Sequence, residues 1–309
     1  MLYLQLSRLA SQTALKSLTH TRLNSMISLC RSVSTTVNEV VLLRHSGADK
    51  GILTLELNRP KAKNALSRSL VAEFRKVLSE IRNDHDVRVV VIRSTVPGVF
   101  CAGADLKERA TMSPTEVEQF LYSMKTAFKE LEALPQPTIA ALDGAALGGG
   151  FELSLCCDLR IAGPRAILGL PETSLAIIPG AGGTLRLTKL IGSSRTKALV
   201  FTARRFGPYP ALSMGIVNDV VEANECMDEN TSDHSLGYER AIEWAREILP
   251  NGPIAVRMAK RSIDHASKVD PGTGLDVEQL CYAQVIPTED RLEGLRAFKE
   301  KRKPVYKGC

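Results

Sequence analysis

Between residues 51 and 58 apolar side chains are interleaved with Thr54 and Glu56, and the run stops at Arg59-Pro60; this two-residue period predicts a strand. The period then lengthens. Leu66, Leu70, Val71, Phe74, Val77, Leu78 and Ile81 recur every three to four positions, the stripe of an amphipathic helix over 66–82. Val87–Arg93 is short and β-branched and reads as a buried strand. Ser113-Pro114-Thr115-Glu116 opens the next helix, with Ser113 as cap, Pro114 in the first turn and Glu116 able to reach back; Pro135 and Pro137 end it near Ala133. Thr138–Leu142 is a further short strand. It feeds Gly144 and then Gly148-Gly149-Gly150, where a helix is expected to start and run through Cys157, followed by a strand over Leu159–Ala162. Strand and helix in alternation predict an α/β fold. From about 236 onward the signals are helical, divided by Pro250, Pro253, Pro271 and Pro287, and the polar stretch Glu222–Ser235 reads as a surface loop between the two parts.

Residues 1–36 fit neither pattern. They hold Arg8, Lys16, Arg22 and Arg31 with no acid, many Ser and Thr, and Leu2, Leu4, Leu6 and Leu9 on one helical face. An Arg- and Ser-rich, acid-free amphipathic leader is the composition of a mitochondrial transit peptide, so a mitochondrial matrix location is expected, with cleavage near Arg31–Ser34. A disordered basic tail would share that composition. The leader also changes the meaning of the formal charge of +6 over 309 residues. The last fourteen residues carry six basic side chains against Glu300 alone, which leaves 30 basic and 33 acidic residues in 37–295. A slightly acidic body with basic ends is not a general polyanion binder. A hydrophobic fraction of 44% and a charged fraction of 24% suit a globular protein with a full core. No apolar run approaches the ~20 residues of a membrane span. The seven cysteines show no CxxC spacing, so buried free thiols are expected rather than disulfides or a zinc site.

Three segments place small residues where the chain turns towards a helix: Phe100–Leu106, Leu147–Glu152 and Leu170–Gly183. Glycine and alanine let a ligand approach the main chain and leave N–H groups free to donate, and two such groups aimed at one point form an oxyanion hole. Tight turns would use the same residues. There is no GxxxxGK[ST], GxGxxG after a strand, GxSxG or HExxH, and the five histidines lie in the leader or in polar contexts, which argues against a histidine base or a metal centre. Carboxylates remain for acid–base work. Glu152 follows the triple glycine in an apolar stretch, and Glu172 stands between Pro171 and Thr173 in another. A carboxylate so placed must be paired or have a raised pKa, which an acid–base pair at neutral pH requires. A helix-surface Glu152 and a first-turn Glu172 are the simpler alternatives.

Taken in order, FCAGADL (100–106), ALGGGFEL (146–153) and LPETSLAIIPGAGGT (170–184) resemble the signatures of the enoyl-CoA hydratase (crotonase) superfamily. The resemblance covers about 38–309, including 286–304, and is strongest to the branch of mitochondrial methylglutaconyl-CoA hydratases and enoyl-CoA hydratase domain-containing proteins. It implies a crotonase spiral of ββα units over 37–235 and a helical oligomerisation region over 236–309. It places the oxyanion donors on Ala104 and Gly149 and the catalytic carboxyls on Glu152 and Glu172, the first activating water for attack at the β-carbon, the second moving the α-proton. It implies hydration of an enoyl-CoA thioester, either the dicarboxylic 3-methylglutaconyl-CoA or a short-chain enoyl-CoA, with no separate cofactor and no metal. Substrate contacts carried over are Lys61, Ala62, Ala102, Asp105, Leu106, Lys107, Gly148, Pro171 and Gly180. Phe298 and Lys301 are implied to serve a neighbouring subunit of a homotrimer or homohexamer. Arg302 and Lys303 are left open between a phosphate-facing patch and a solvated helix end. The acyl pocket is expected in 111–130 and 170–180, with no cation assignable to a distal carboxylate.

Two other functions were weighed. An RNA-binding helix over 66–86 would use Arg68, Arg75, Lys76 and Arg82, but Glu73, Glu80, Asp84 and Asp86 offset them and no RNP-like aromatic pattern is present. An enoyl-CoA isomerase could manage with Glu172 alone, whereas retention of both glutamates favours hydration.

Overall fold

The computed structural model describes residues 38–222 and 235–309. The leader expected over 1–36 and most of the 222–235 loop lie outside the described residues. The first half contains strands β1 (Val40–Arg44) and β2 (Ile52–Leu57), helix α1 (Arg68–Arg82), strands β3 (Val89–Ser94) and β4 (Val99–Cys101), and helices α2 (Leu106–Arg109) and α3 (Pro114–Glu132). Next come β5 (Thr138–Leu142), β6 (Ala145–Leu147), α4 (Gly149–Ser154), β7 (Leu159–Ala162) and β8 (Ile167–Gly169). Then follow α5 (Gly183–Ile191), α6 (Ser193–Phe201), β9 (Arg205–Phe206), α7 (Pro208–Ser213) and β10 (Asp219–Val220). The last four helices are α8 (Leu236–Ile248), α9 (Pro253–Ala266), α10 (Pro271–Val285) and α11 (Glu289–Lys299).

Among the described residues the strands form two sheets, in the orders β1-β2-β3-β5-β7-β10 and β4-β6-β8-β9. From β3 onward each turn of chain gives one strand to the larger sheet and the next to the smaller. Successive turns pair in parallel, β3 with β5 and β5 with β7 in one sheet, β4 with β6 and β6 with β8 in the other. This is the expected spiral of ββα units. Only β1 on β2 and β9 on β8 run antiparallel.

The continuous apolar run of β3 follows from burial on both faces. Val90 and Ile92 point into a core shared with Leu70, Phe74 and Leu78 of α1 and Phe128 and Leu131 of α3, whereas Val89 and Val91 point to the other face, under Ala241, Ile242 and Ala245 of α8. The first helix beyond residue 235 therefore covers the sheet itself. Its N-terminus is held there by Asp143, whose carboxylate accepts from Gly237 N–H (2.6 Å) and Tyr238 N–H (3.0 Å). The caps form as the sequence requires: Ser67 accepts from Leu70 N–H, and Ser113 and Glu116 make a reciprocal capping box.

Helix α4 ends at Ser154, short of the expected Cys157. The Arg160 guanidinium takes the carbonyls of Ser154, Cys157 and Ile216, so the end of the helix is closed by a buried side chain and the chain turns into β7. Cys101, Cys156, Cys157 and Cys281 are buried free thiols, and Cys309 is an exposed one. Helices α9 and α10 pack on each other and leave Ile263, Leu275, Leu280, Tyr282, Leu292, Leu295 and Phe298 exposed on the C-terminal region.

One contact sets how closely β4 and α4 approach. A Cβ on Gly150 would lie 2.2 Å from the Cys101 carbonyl oxygen. Gly150→Ala is expected to cost about 1–3 kcal/mol or more of stability, read as a lower denaturation midpoint; an unchanged midpoint would show that β4 and α4 can part freely.

Candidate functional site

The site forms where the turn after β4 meets the start of α4. Leu66 and Ala104 make an isolated parallel bridge, with Leu66 N–H donating to Gly103 O (2.7 Å) and Asp105 N–H to Leu66 O (3.0 Å). That pairing uses the peptide groups flanking Ala104 and turns the Ala104 N–H to the opposite side. Gly149 is the first residue of α4, so its N–H has no acceptor within the helix. The two donors are neighbours: a Cβ on Gly149 would stand 3.6 Å from Ala104 N, and one on Gly103 would stand 3.4 Å from Gly149 N. Glycine is required on both sides of this meeting. Gly103 and Gly148 have φ of +97° and +52°, and a Cβ on Gly103 would press to 2.8 Å from Leu147 O.

The two carboxyls reach the same place from different elements. Glu152 projects from the first turn of α4 and is 1% exposed. Its Oε1 accepts from Ala181 N–H (2.8 Å) and Gly183 N–H (2.7 Å), which bind it to the start of α5. Burial raises its pKa; the Gly183 and Ala181 amides and the charges of Arg186 and Lys125 offset only part of that rise. Glu172 opens a 3₁₀ turn (Glu172–Leu175) after Pro171 and is 9% exposed. Its Oε1 would be 3.1 Å from a Cβ on Gly148, and its buried Oε2 has no hydrogen-bond partner among the described residues. Burial lifts its pKa to about 7, with its own backbone amide opposing and the Glu152 charge adding to the rise. Neither glutamate is a helix-surface residue.

Ala102, Gly103, Ala104, Leu106, Gly148, Gly149, Glu152, Pro171, Glu172 and Gly180 line one cleft. Of the expected contacts, Asp105 does other work. It caps α2 through Lys107 and Glu108 N–H and receives Arg59 at 2.8 Å; burial pushes its carboxyl up, but these donors together hold it below its ordinary value. Lys61 and Ala62 lie on the turn Pro60–Ala62, and Lys107 on α2, outside the cleft lining. Phe298, on α11, is 87% exposed; neither it nor Lys301, just beyond that helix, lines the cleft of its own chain. Arg302 pairs with Glu293 (2.6 Å) and Glu300 (2.7 Å), and the Arg302 guanidinium, with the Val305 amide, draws Glu293 down to about 2. Among the described residues no group of three or more His, Cys, Asp and Glu could hold a metal ion, and no helix is long and apolar enough to cross a membrane.

The cleft has further walls: Leu121 and Met124 from α3, Leu175, Ile177 and Ile178 from and after the 3₁₀ turn, and Arg109 at the end of α2. The apolar five fall in the two stretches expected to hold the acyl pocket. Arg109 escaped notice because Lys107-Glu108-Arg109 reads as an ordinary solvated helix end.

The model of the enoyl-CoA hydratase/isomerase family matches residues 47–309. The chain is 49% identical to a probable enoyl-CoA hydratase 2, mitochondrial, of Arabidopsis thaliana, over 92% of each chain. It is 50% identical to the mitochondrial methylglutaconyl-CoA hydratase of Homo sapiens, over 84% of this chain and 75% of that one. It is 48% identical to the mitochondrial enoyl-CoA hydratase domain-containing protein 2 of Mus musculus, over 90% and 92%. Its structure superposes on the crystal structure of an enoyl-CoA hydratase from Bacillus anthracis with a TM-score of 0.81, at 46% identity, over 88% of this chain and all of that one.

The coupling of the two carboxyls can be measured. In carboxyl-labelled protein, NMR titration is expected to find Glu172 at about 7, moving downward in Glu152→Gln because the neighbouring negative charge is gone. A Glu172 that titrates in the ordinary carboxylate range in both proteins would contradict the buried geometry.

Proposed function

Because this chain belongs to the enoyl-CoA hydratase/isomerase family, we propose that its cleft adds water across the 2,3-double bond of an enoyl-CoA thioester. The observation that carries this reading is the convergence of two buried carboxyls on a pair of adjacent main-chain donors. Attack of water at the β-carbon drives electron density onto the thioester oxygen. Ala104 N–H and Gly149 N–H are the donors to receive it, helped by the positive end of α4, and the loss of one such donor is worth about 10²–10³ in rate. Glu152 is the base that takes a proton from water. Its Oε1 is fixed by Ala181 and Gly183, which leaves Oε2 to face the reacting water. Glu172, held near neutrality by burial, is the acid that gives the α-carbon its proton. The proton gained by Glu152 and the one lost by Glu172 balance, so the pair is reset by exchange with solvent and needs no cofactor. Isomerisation would leave Glu152 with nothing to do.

For the coenzyme we assign the approach along Lys61, Ala62 and Ala102–Lys107, with Gly148, Pro171 and Gly180 on the acyl side. The exposed Phe298 and Lys301 and the uncovered apolar side chains of α9–α11 support a homotrimer or a hexamer in which the helices after α8, rather than all of 236–309, serve a neighbour's cleft. The protein is mitochondrial, as its Arabidopsis, human and mouse relatives are.

Incubation with crotonyl-CoA is expected to bleach the conjugated enoyl absorbance. Glu152→Gln and Glu172→Gln are each expected to lower kcat by about 10²–10⁴, and indifference to Glu152→Gln would favour an isomerase. The pH profile follows from the protonation states. Glu172 must be protonated, so kcat/KM should fall as pH rises through about 7, and Glu152 must be ionised, so it should fall again on the acid side. A profile with no basic limb would remove Glu172 from the acid role.

A further inference from the structure

The walls that receive the acyl group are apolar at Leu121, Met124, Ile177 and Ile178, with one exception, Arg109. It is the single cation lining the cleft, half-buried at the last position of α2, and its guanidinium has no ion-pair partner among the described residues. Its isolation is informative because the same cleft holds two acids. Arg109 pairs with neither Glu152 nor Glu172, and the charges that act on Glu152 are those of Arg186 and Lys125. The other arginines nearby are paired: Arg59 with Asp105 and Glu39, Arg68 with Glu108 and Glu116, and Arg186 with Glu132; Lys107 and Lys125 do not line the cleft. A half-buried, unpaired guanidinium on an apolar wall forfeits hydration without return unless an anion meets it.

The position of Arg109 says which anion. Asp105 to Arg109 is a rise of about 6 Å along α2, beginning beside the Ala104 donor. A long side chain at that distance from the thioester oxygen reaches the far end of a short acyl chain lying between α3 and the 3₁₀ turn. Resting on the hydratase reading above, we propose that Arg109 is a specificity-determining residue that binds the distal carboxylate of a dicarboxylic enoyl-CoA. A guanidinium presents a planar fork that takes a carboxylate through two parallel hydrogen bonds, which an ammonium cannot copy.

The test separates this from two other roles. Binding of glutaryl-CoA and butyryl-CoA, saturated analogues that share the coenzyme and differ in the distal carboxylate, is measured by calorimetry with wild type, Arg109→Leu and Arg109→Lys. The expected result is tighter binding of glutaryl-CoA by wild type, a loss of about 10- to 150-fold in the glutaryl/butyryl affinity ratio in Arg109→Leu, and partial recovery in Arg109→Lys. Hydration kinetics with glutaconyl-CoA and crotonyl-CoA should show the same change of ratio, carried by KM. A fall on both ligands with an unchanged ratio would assign Arg109 to the coenzyme phosphates and overturn the proposal, as would no change on either. A wild type that prefers glutaryl-CoA yet hydrates neither enoyl-CoA would keep Arg109 as the carboxylate ligand and refute the hydratase reading. One that hydrates crotonyl-CoA but shows no preference would do the reverse.

Discussion

The closeness of two stretches of main chain governs this molecule. Between β4 and the start of α4 there is no space for a single added carbon at Gly103, which would press on Leu147 O, or at Gly150, which would press on Cys101 O. Everything else in the spiral serves that approach. The pairing of β4 with β6 and of β6 with β8 sets the height of each turn, and the Leu66–Ala104 bridge fixes the direction in which the Ala104 peptide points. Preorganisation of this kind costs nothing at the moment of reaction, because the donors are already held by the fold.

The same geometry accounts for the charge state of the site. Glu152 and Glu172 are brought by different elements into one cleft, where burial disfavours two neighbouring negative charges. The amides of Ala181 and Gly183 favour the ionised form of Glu152, while Glu172, with Oε2 unpartnered, holds its proton to about 7. Burial raises both of these chemically identical side chains, and their hydrogen-bond supply sets them apart.

How much could be read from the chain alone varied with the length of each signal. Helices α1 and α3 and strands β2, β3 and β5 were legible because each carries several repeats of its period or a clear cap. Strands β4, β6 and β8 are three residues long, too short for any period, and were visible only as glycine junctions. The two glutamates stood out because an acid in an apolar stretch is unusual locally, whereas Ala104 and Gly149 were singled out only by the family resemblance. What the sequence hid depended on tertiary partners. Asp105, which the resemblance implied as a substrate contact, also caps a helix and pairs with Arg59, and Arg302, left open between two readings, pairs with Glu293 and Glu300. Arg109 looked ordinary and proves to face the cleft. The sheet-covering position of α8 could not be inferred either, since nothing in its own pattern names the surface it packs against.

The walls of the cleft differ in kind from its floor. The floor is peptide backbone, and the walls are side chains on α2, α3 and the 3₁₀ turn. Substitution at a few wall positions can therefore retune which acyl group is accepted while the reactive frame stays intact.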